Sequence, residues 1–516
     1  MRRCASNLFL PAPVTSALAV IRSAKYIKEG LLALWHRKLS VAVLDATAVT
    51  VSMVRGDLSN QTICYTWIKG VFCDTTIYYR TRNIEFTEMP TSSWESYYLV
   101  IASANVVLHF IDRLSIPEHR KDYYKGSAYF YKALAYLDLV RLWGDCVLVE
   151  EDVPLETRAK SYWTEIADHA IDLARKAVAL LPDFDKVLDS NGNAVRFKSA
   201  PCKGAANAVL ANLCAWKAGG KYFAQPSQRN YDENKLWEEA EKACTAIIGS
   251  ETGVPGGIYR LANTPEDVCT KVLAGGDAES IYESVFVNFW DELGNFTSTN
   301  DFWAIALQAY PMPEATFDDI KSRYIQIYNE TVRKLYPEGD LRRDAYFYKF
   351  DEMEQRGDSA TGGFAYPYKY RKVAVKTSGD EVGRFDHIDQ NRIWWRLADI
   401  YLLRAECRVH LQKNDLAIAD LNIIRLRAKA KLYNADEYDG DLRMAIFKER
   451  EKELLFEGTR YFDIIRNQYV KTMLGTGYRQ ATDQDYVDGI LFWAINETAF
   501  RRNPKLRQNT YWQKYK

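Results

Sequence analysis

The sequence predicts a mainly α-helical protein built from antiparallel helix hairpins, with one loop-rich subdomain set between them. Three observations predict it. Apolar residues recur with the 3.6-residue period of an amphipathic helix over 94–248 and again over 394–466. Residues 250–390 break that period with glycine, proline and aromatics, as in Gly253–Ile258, Tyr310-Pro311-Met312-Pro313 and Gly357–Tyr368. The stretch from Trp394 to Ala428 has about the length of one tetratricopeptide repeat, roughly 34 residues.

Taken in order, residues 1–93 read as a loop-rich N-terminal segment, a start-site or signal region. Met1-Arg2-Arg3 has the charge of a signal n-region and Ala17-Leu18-Ala19 imitates a cleavage site, but Pro11 and Pro13 interrupt the stretch between them. Cys4 follows two arginines rather than an apolar lipobox, so no clear lipoprotein signal stands in this sequence. No apolar run approaches the roughly 20 residues needed to span a bilayer.

Residues 94–249 read as a helical-repeat scaffold. Trp94, Ile101, Leu108 and Ile111 form the stripe of a first helix. The second, His119 to Trp143, carries Ala128, Tyr131, Ala135 and Leu142 and stops at Gly144. The third spans about Tyr162 to Leu181, turning Ile166, Ala170, Leu173 and Ala177 inward, with Pro182 as its stop. Val187 to Arg196 reads as a short hairpin closed by a two-residue Asn191-Gly192 turn. Two more helices follow, at about Lys203–Ala218 and Leu236–Ile248. Within residues 250–390 the helical pattern is confined to Asp318–Lys334, and such a loop-rich unit is where binding groups concentrate. Residues 391–516 form a C-terminal repeat. There Trp395, Ala398, Leu402, Ala405 and Val409 line one helix from Trp394, and Ala417, Leu421, Ile424 and Ala428 line a second after the turn Gln412-Lys413-Asn414. The four parts are expected to form one compact unit.

Composition narrows the function. Sixty-eight basic residues balance sixty-eight acidic ones, which removes the basic footprint of a general nucleic-acid binder. The 34 tyrosines, 13 tryptophans and 22 phenylalanines supply flat rings suited to sugar stacking and to interfaces, as well as to helix seams. Nine cysteines include no C-x-x-C and no zinc-ligand spacing, and Cys214 and Cys244 fall in apolar helical patterns as buried thiols. No G-x-S-x-G elbow, H-E-x-x-H, Walker loop or dinucleotide glycine fingerprint occurs. Asp189, Asn191 and Asn193 only faintly suggest a calcium loop, because Ala194 stands where the loop glycine belongs. These readings predict no catalytic residues, no cofactor and no metal.

Near the C-terminus, Ile446 to Asp463 (IFKEREKELLFEGTRYFD) resembles the I-x-x-E-R-x-x-E-L-x-F-E-G-x-R-x-x-D signature of the SusD/RagB family, and Arg466 completes it. Asn503-Pro504-Lys505-Leu506-Arg507-Gln508-Asn509 is similar to that family's N-P-x-L-x-Q-N ending. Ala104-Asn105, Gly126 to Arg141 with Gly144-Asp145, Arg396-Leu397-Ala398-Asp399 to Glu406, and Arg425 to Ala428 match further family positions in order. The resemblance covers about residues 90–510. The sequence departs from it at Cys146-Val147-Leu148, where a G-D-V-P-L run is usual, and at Ala494, where the family has proline.

The resemblance implies a SusD-like scaffold of tetratricopeptide-type hairpins with a ligand-binding loop subdomain. It implies a lipid-anchored, non-catalytic protein at the outer-membrane surface, partnered with a SusC-like TonB-dependent transporter. Its ligand would be an oligosaccharide, or in some relatives a peptide or glycopeptide. A helical-repeat adaptor that binds only proteins is the alternative from another class. Expected stacking residues are Trp67, Tyr78 and Tyr79 in the N-terminal loops and Trp290, Trp303 and Tyr310 in the subdomain, with Asp291, Asn295, Asn300 and Asp301 accepting sugar hydroxyls. Each ring lies outside the helical stripes. Within the signature, Arg450, Glu453, Glu457 and Arg460 fall on one helical sector at spacings of three, four and seven. Opposite charges so placed pair, and neighbouring arginines spoil a carboxylate as a general acid. They are read as structural.

Overall fold

In the computed structural model, residues 77–78, 94–150, 157–189, 192–195, 197–253, 255–284, 326–355, 363–371, 373–375, 377–380, 382, 385–388, 390–474 and 476–513 are described. Five long helices form the first half: α1 (Glu95–Phe110), α2 (Glu118–Leu142), α3 (Trp163–Leu180), α4 (Lys203–Gly219) and α5 (Glu233–Ile248). Each packs on the next along the chain. Their ends obey local chemistry. Asp232 caps α5 by accepting from the Asn234 N–H at 3.0 Å, and Gly249 leaves that helix in the left-handed region at φ +72°. Gly144 stops α2 at φ +71°, and there a Cβ would lie 2.7 Å from the Phe492 ring. In α4, every residue from Gly204 to Gly219 is buried, so this helix runs through the centre with no polar face.

The array resumes in the second half. Helix α8 (Leu397–His410) packs on α5 across some 150 intervening residues, and α9 (Asn414–Arg427) and α10 (Leu442–Glu453) pack on α8. One large apolar core runs through both halves, from Tyr97 and Trp143 through Trp216 to Tyr401, Ile465 and Trp493. Between the halves lie short helices, among them α6 (Asn329–Leu335) and α7 (Arg342–Tyr346), and short strands. Strands β1 (Ile77–Tyr78), β3 (Gln326–Tyr328) and β4 (Phe364–Ala365) form one antiparallel sheet, with β3 central. Strand β2 (Ser280–Ser284) pairs with β7 (Arg392–Arg396), Ser280 opposite Arg396, and β5 (Val373–Val375) pairs with β6 (Phe385–Ile388). This part has its own small core of Val268, Ile327, Tyr336, Tyr346, Phe347 and Phe350, into which Leu455 and Phe456 of the C-terminal signature project.

Three expectations need correction. Trp394 and Trp395 belong to strand β7, and the helix begins at Leu397, because β2 offers a pairing edge and Tyr282 packs beside the Trp395 ring. The helical pattern assigned to Asp318–Lys334 has a strand at Gln326–Tyr328 and turns helical only at Asn329, residues 318–325 lying outside the described set. The hairpin after α3 closes through the Asp189 N–H on the Asn193 carbonyl at 2.8 Å, with Gly192 at φ +82°. That is a three-residue loop with a left-handed glycine rather than a two-residue turn.

Candidate functional site

Of the aromatic and polar residues expected to hold ligand, Trp67, Tyr79, Trp290, Asp291, Asn295, Asn300, Asp301, Trp303 and Tyr310 lie outside the described residues. Tyr78 lies in β1, paired with Gln326 of the central strand β3.

The described residues form a different opening, a cleft of about 220 Å³ where the start of α1 meets the C-terminal segment. Trp94 precedes α1, and its carbonyl accepts from the Tyr97 and Tyr98 N–H groups at 3.1 and 3.4 Å. Its indole meets Tyr98 edge-on with centroids 5.6 Å apart and leans on Trp143 at 6.1 Å. Trp143 in turn meets Trp493 at 5.2 Å, so an aromatic row ties the cleft floor to the core. The Tyr98 hydroxyl donates to the Val147 carbonyl at 3.0 Å and accepts from the Val147 N–H at 2.7 Å. Burial, reinforced by Cys146, pushes that phenol well above its ordinary pKa, and it stays neutral. This clamp shapes the loop after Gly144-Asp145, the place where the sequence departs from the family run.

The far wall is Thr498, Ala499, Arg502, Asn503 and Leu506, carried by α12 (Glu497–Arg502) and the turn after it. Asn503 donates to the Arg158 carbonyl at 2.7 Å and accepts from the Lys505 N–H at 3.1 Å. The Thr498 hydroxyl donates to Asn496 at 2.8 Å. At the mouth, Arg502 pairs with Glu95. The sequence carried a partial signal for this cleft: Trp94 stood out as a stripe residue and Asn503-Pro504-Lys505-Leu506 as a family ending, but nothing local joins positions some 400 residues apart.

The signature charges are structural, though with other partners than the helical sector implies. The helix ends at Glu453, Phe456 and Gly458 take φ of +66° and +81°, and a new helix, α11 (Arg460–Arg466), follows. Arg450 therefore pairs with Asp399 at 2.8 Å and Asp463 at 3.0 Å, and Arg460 with Glu451 at 2.9 Å. Glu453 binds Arg396 at 2.7 Å and also Arg427, while Glu457 receives Lys369 at 2.5 Å and Arg396 at 2.7 and 2.8 Å. Arg342 reaches Glu449 at 2.6 Å and chelates Asp340 at 2.8 and 2.9 Å. Burial would raise the Glu453 pKa, but Arg427, Arg396, Arg342 and Lys369 together hold it far below the usual carboxylate range; Glu457 is also lowered, by Arg396 and Lys369 against its burial. Neither can hold a proton for acid catalysis at neutral pH. Among the described residues no group of three or more His, Cys, Asp or Glu is placed to hold a metal ion, and the six described cysteines are free and buried.

A stack of helix pairs bearing a strand-containing insertion with its own small core defines a helical-repeat scaffold protein with an aromatic cleft. Comparison with known proteins gives the family. A profile described as "SusD family" matches residues 318–512, and one described as "Starch-binding associating with outer membrane" matches residues 52–213. Two SusD-like proteins of Formosa agariphila are 26% identical over 410 residues (73% of this chain and 70% of the relative) and 25% identical over 459 residues (81% and 78%). Among solved structures, a SusD homologue from Bacteroides thetaiotaomicron superposes with a TM-score of 0.67 at 19% identity, covering 89% of this chain and 98% of that one. A laminarin-binding SusD-like protein gives 0.67 at 19% identity over 90% and 98%. The chain belongs to the SusD/RagB family.

Proposed function

We propose that this protein captures a glycan at the outer-membrane surface, without catalysis, and hands it to a SusC-like TonB-dependent transporter. The single observation that carries the reading is an aromatic-floored cleft on a SusD/RagB scaffold. Support for an oligosaccharide also comes from the relatives: one structural neighbour is a laminarin-binding protein. A lipid anchor would hold the protein at the cell surface, as the family resemblance implies. Residues 250–390 serve in this reading as the ligand-bearing subdomain between the scaffold of 94–249 and the C-terminal repeat of 391–516. Trp290, Trp303 and Tyr310 are its proposed stacking residues, joined by Trp67, Tyr78 and Tyr79 of the N-terminal segment, with Asp291, Asn295, Asn300 and Asp301 as proposed hydroxyl acceptors.

A glycan and peptide panel on the purified protein tests this, followed by calorimetric titration of the best ligand. Trp290→Ala and Trp303→Ala should each weaken binding by about 1–3 kcal/mol, taking aromatic stacking on nucleic-acid bases as the analogy. Their unfolding free energies should stay within about 1 kcal/mol of the parent. Unaltered affinity in both variants removes these two rings from the site, and a panel on which no glycan binds removes the glycan reading.

A further inference from the structure

We propose that a bound water molecule joins Arg141 of α2 to Asp399 of α8, making a water-bridged ion pair between the two halves of the scaffold. The site is independent of ligand capture. It is an internal cavity of about 50 Å³ where α2, α4, β7, α8 and α11 meet.

Arg141 is the exception that points to it. Buried arginines elsewhere touch carboxylates: Arg342 meets Asp340 and Glu449, Arg396 meets Glu453 and Glu457, Arg404 and Arg408 share Asp420, and Arg450 and Arg466 share Asp463. Arg141 is 8% exposed and makes no ion pair with any described residue. It donates to the Asn212 oxygen at 2.8 Å and lies against the Trp216 and Phe462 rings at 5.6 and 5.0 Å, while its Nε–H has no acceptor. Burial, and then the like charge of Arg466, lowers its pKa to about 10, which leaves it charged at neutral pH. Asp399, 4% exposed, supplies the matching acceptor. Its Oδ1 has Arg450 beside it at 2.8 Å as a charge contact, yet no directed hydrogen bond reaches it. An orphaned donor and an orphaned acceptor thus belong to side chains that line one small space.

Size and charge select the occupant. A water needs about 10–15 Å³ of such space and two or more polar partners, so the cavity has room for water and none for a sugar ring. Charge argues against an anion. Arg141, Arg450 and Arg466 stand against Asp399, Asp463 and Glu406, three against three, and Arg392 and Glu457 on the same wall add one of each sign. An added anion would leave a net negative charge away from water. A water accepts from Arg141 Nε and donates to Asp399 Oδ1, and the balance stays as it is.

The test is a crystal structure of the full chain at better than about 1.8 Å, from crystals kept in sodium chloride and in sodium bromide at one pH. The expected result is a water peak within about 2.7–3.2 Å of both Arg141 Nε and Asp399 Oδ1, with no bromide anomalous signal in the cavity. A bromide peak there overturns the inference, because the site then takes an anion. Direct contact between Arg141 and the Asp399 carboxylate overturns it too, as does a cavity without density. A solution measurement runs beside it: melting temperatures of Arg141→Met, Asp399→Asn and the double variant. Two groups joined through one water should give losses that do not add, and strictly additive losses would show that they do not interact. Should a variant fail to fold, the parent crystals still decide.

Discussion

Glu457 shows how much a single buried charge organises in this protein. It lies beyond the end of α10, held there by the left-handed backbone of Phe456 and Gly458, and its two oxygens take Lys369 from the insertion and Arg396 from β7. All three side chains are buried. Glu457→Gln keeps the shape and removes the charge, leaving two cations short of a partner, and should destabilise the fold by about 3 kcal/mol. Because the folded-state pKa of Glu457 is lowered, its contribution is complete above the unfolded pKa of about 4.3 and is lost as pH falls below that. The difference between parent and variant should thus be large at pH 7 and shrink in acid, as read from denaturant titrations at several pH values. Ligand affinity per folded molecule should be nearly unchanged. A large affinity loss at equal stability would make Glu457 a binding residue.

At the scale of elements, the helices were legible because their apolar stripes are long enough to state their own period, and because stops such as Gly144 and Pro182 punctuate them. Gly144→Ala should cost about 2–4 kcal/mol, combining a left-handed backbone with a clash against Phe492. Chemical denaturation measures it, and a loss below 1 kcal/mol would show that the C-terminal segment yields easily. Strand β7 was misread for a physical reason. Arg392–Arg396 is five residues long, four of them buried, and alternation cannot show where both faces are covered. The signature misled in the opposite way. Glu453-Leu454-Leu455-Phe456-Glu457 continues the helical period, yet Leu455 and Phe456 are drawn off the helix into the insertion core. The charges beyond that break then find partners across the fold instead of one turn along.

On the scale of the whole molecule, insertion and scaffold are joined twice. Leu455 and Phe456 enter the small core, and Arg342, Lys369 and Glu279 from the insertion interlock with Glu449, Glu453, Glu457, Arg396 and Arg427 of the C-terminal repeat. With charges from both parts buried in one network, separating them would strand ions in apolar surroundings. The protein should therefore unfold in one calorimetric transition, with van't Hoff and calorimetric enthalpies equal, and two resolved transitions would show that the insertion melts by itself. The site was far less legible than the scaffold. Stacking residues proposed from sequence were chosen for lying outside helical stripes, whereas the cleft is lined by Trp94, a stripe residue that is itself buried. Its other wall comes from the opposite end of the chain, and no local period reports such a meeting.

That meeting bears on biosynthesis. Asn509 donates to the Trp143 carbonyl at 3.1 Å, Lys160 donates to Asn509 at 2.7 Å, and the Trp512 indole donates to the Phe492 carbonyl at 2.9 Å. The last dozen described residues thus complete the packing of helices that leave the ribosome some 350 residues earlier. At about 5–20 residues per second, α1 and α2 wait roughly 20–70 seconds with the Trp143 face uncovered. Newly made chains must be shielded through that interval, and a chain cut short before Gln508 would carry an open aromatic face however well its first five helices had formed.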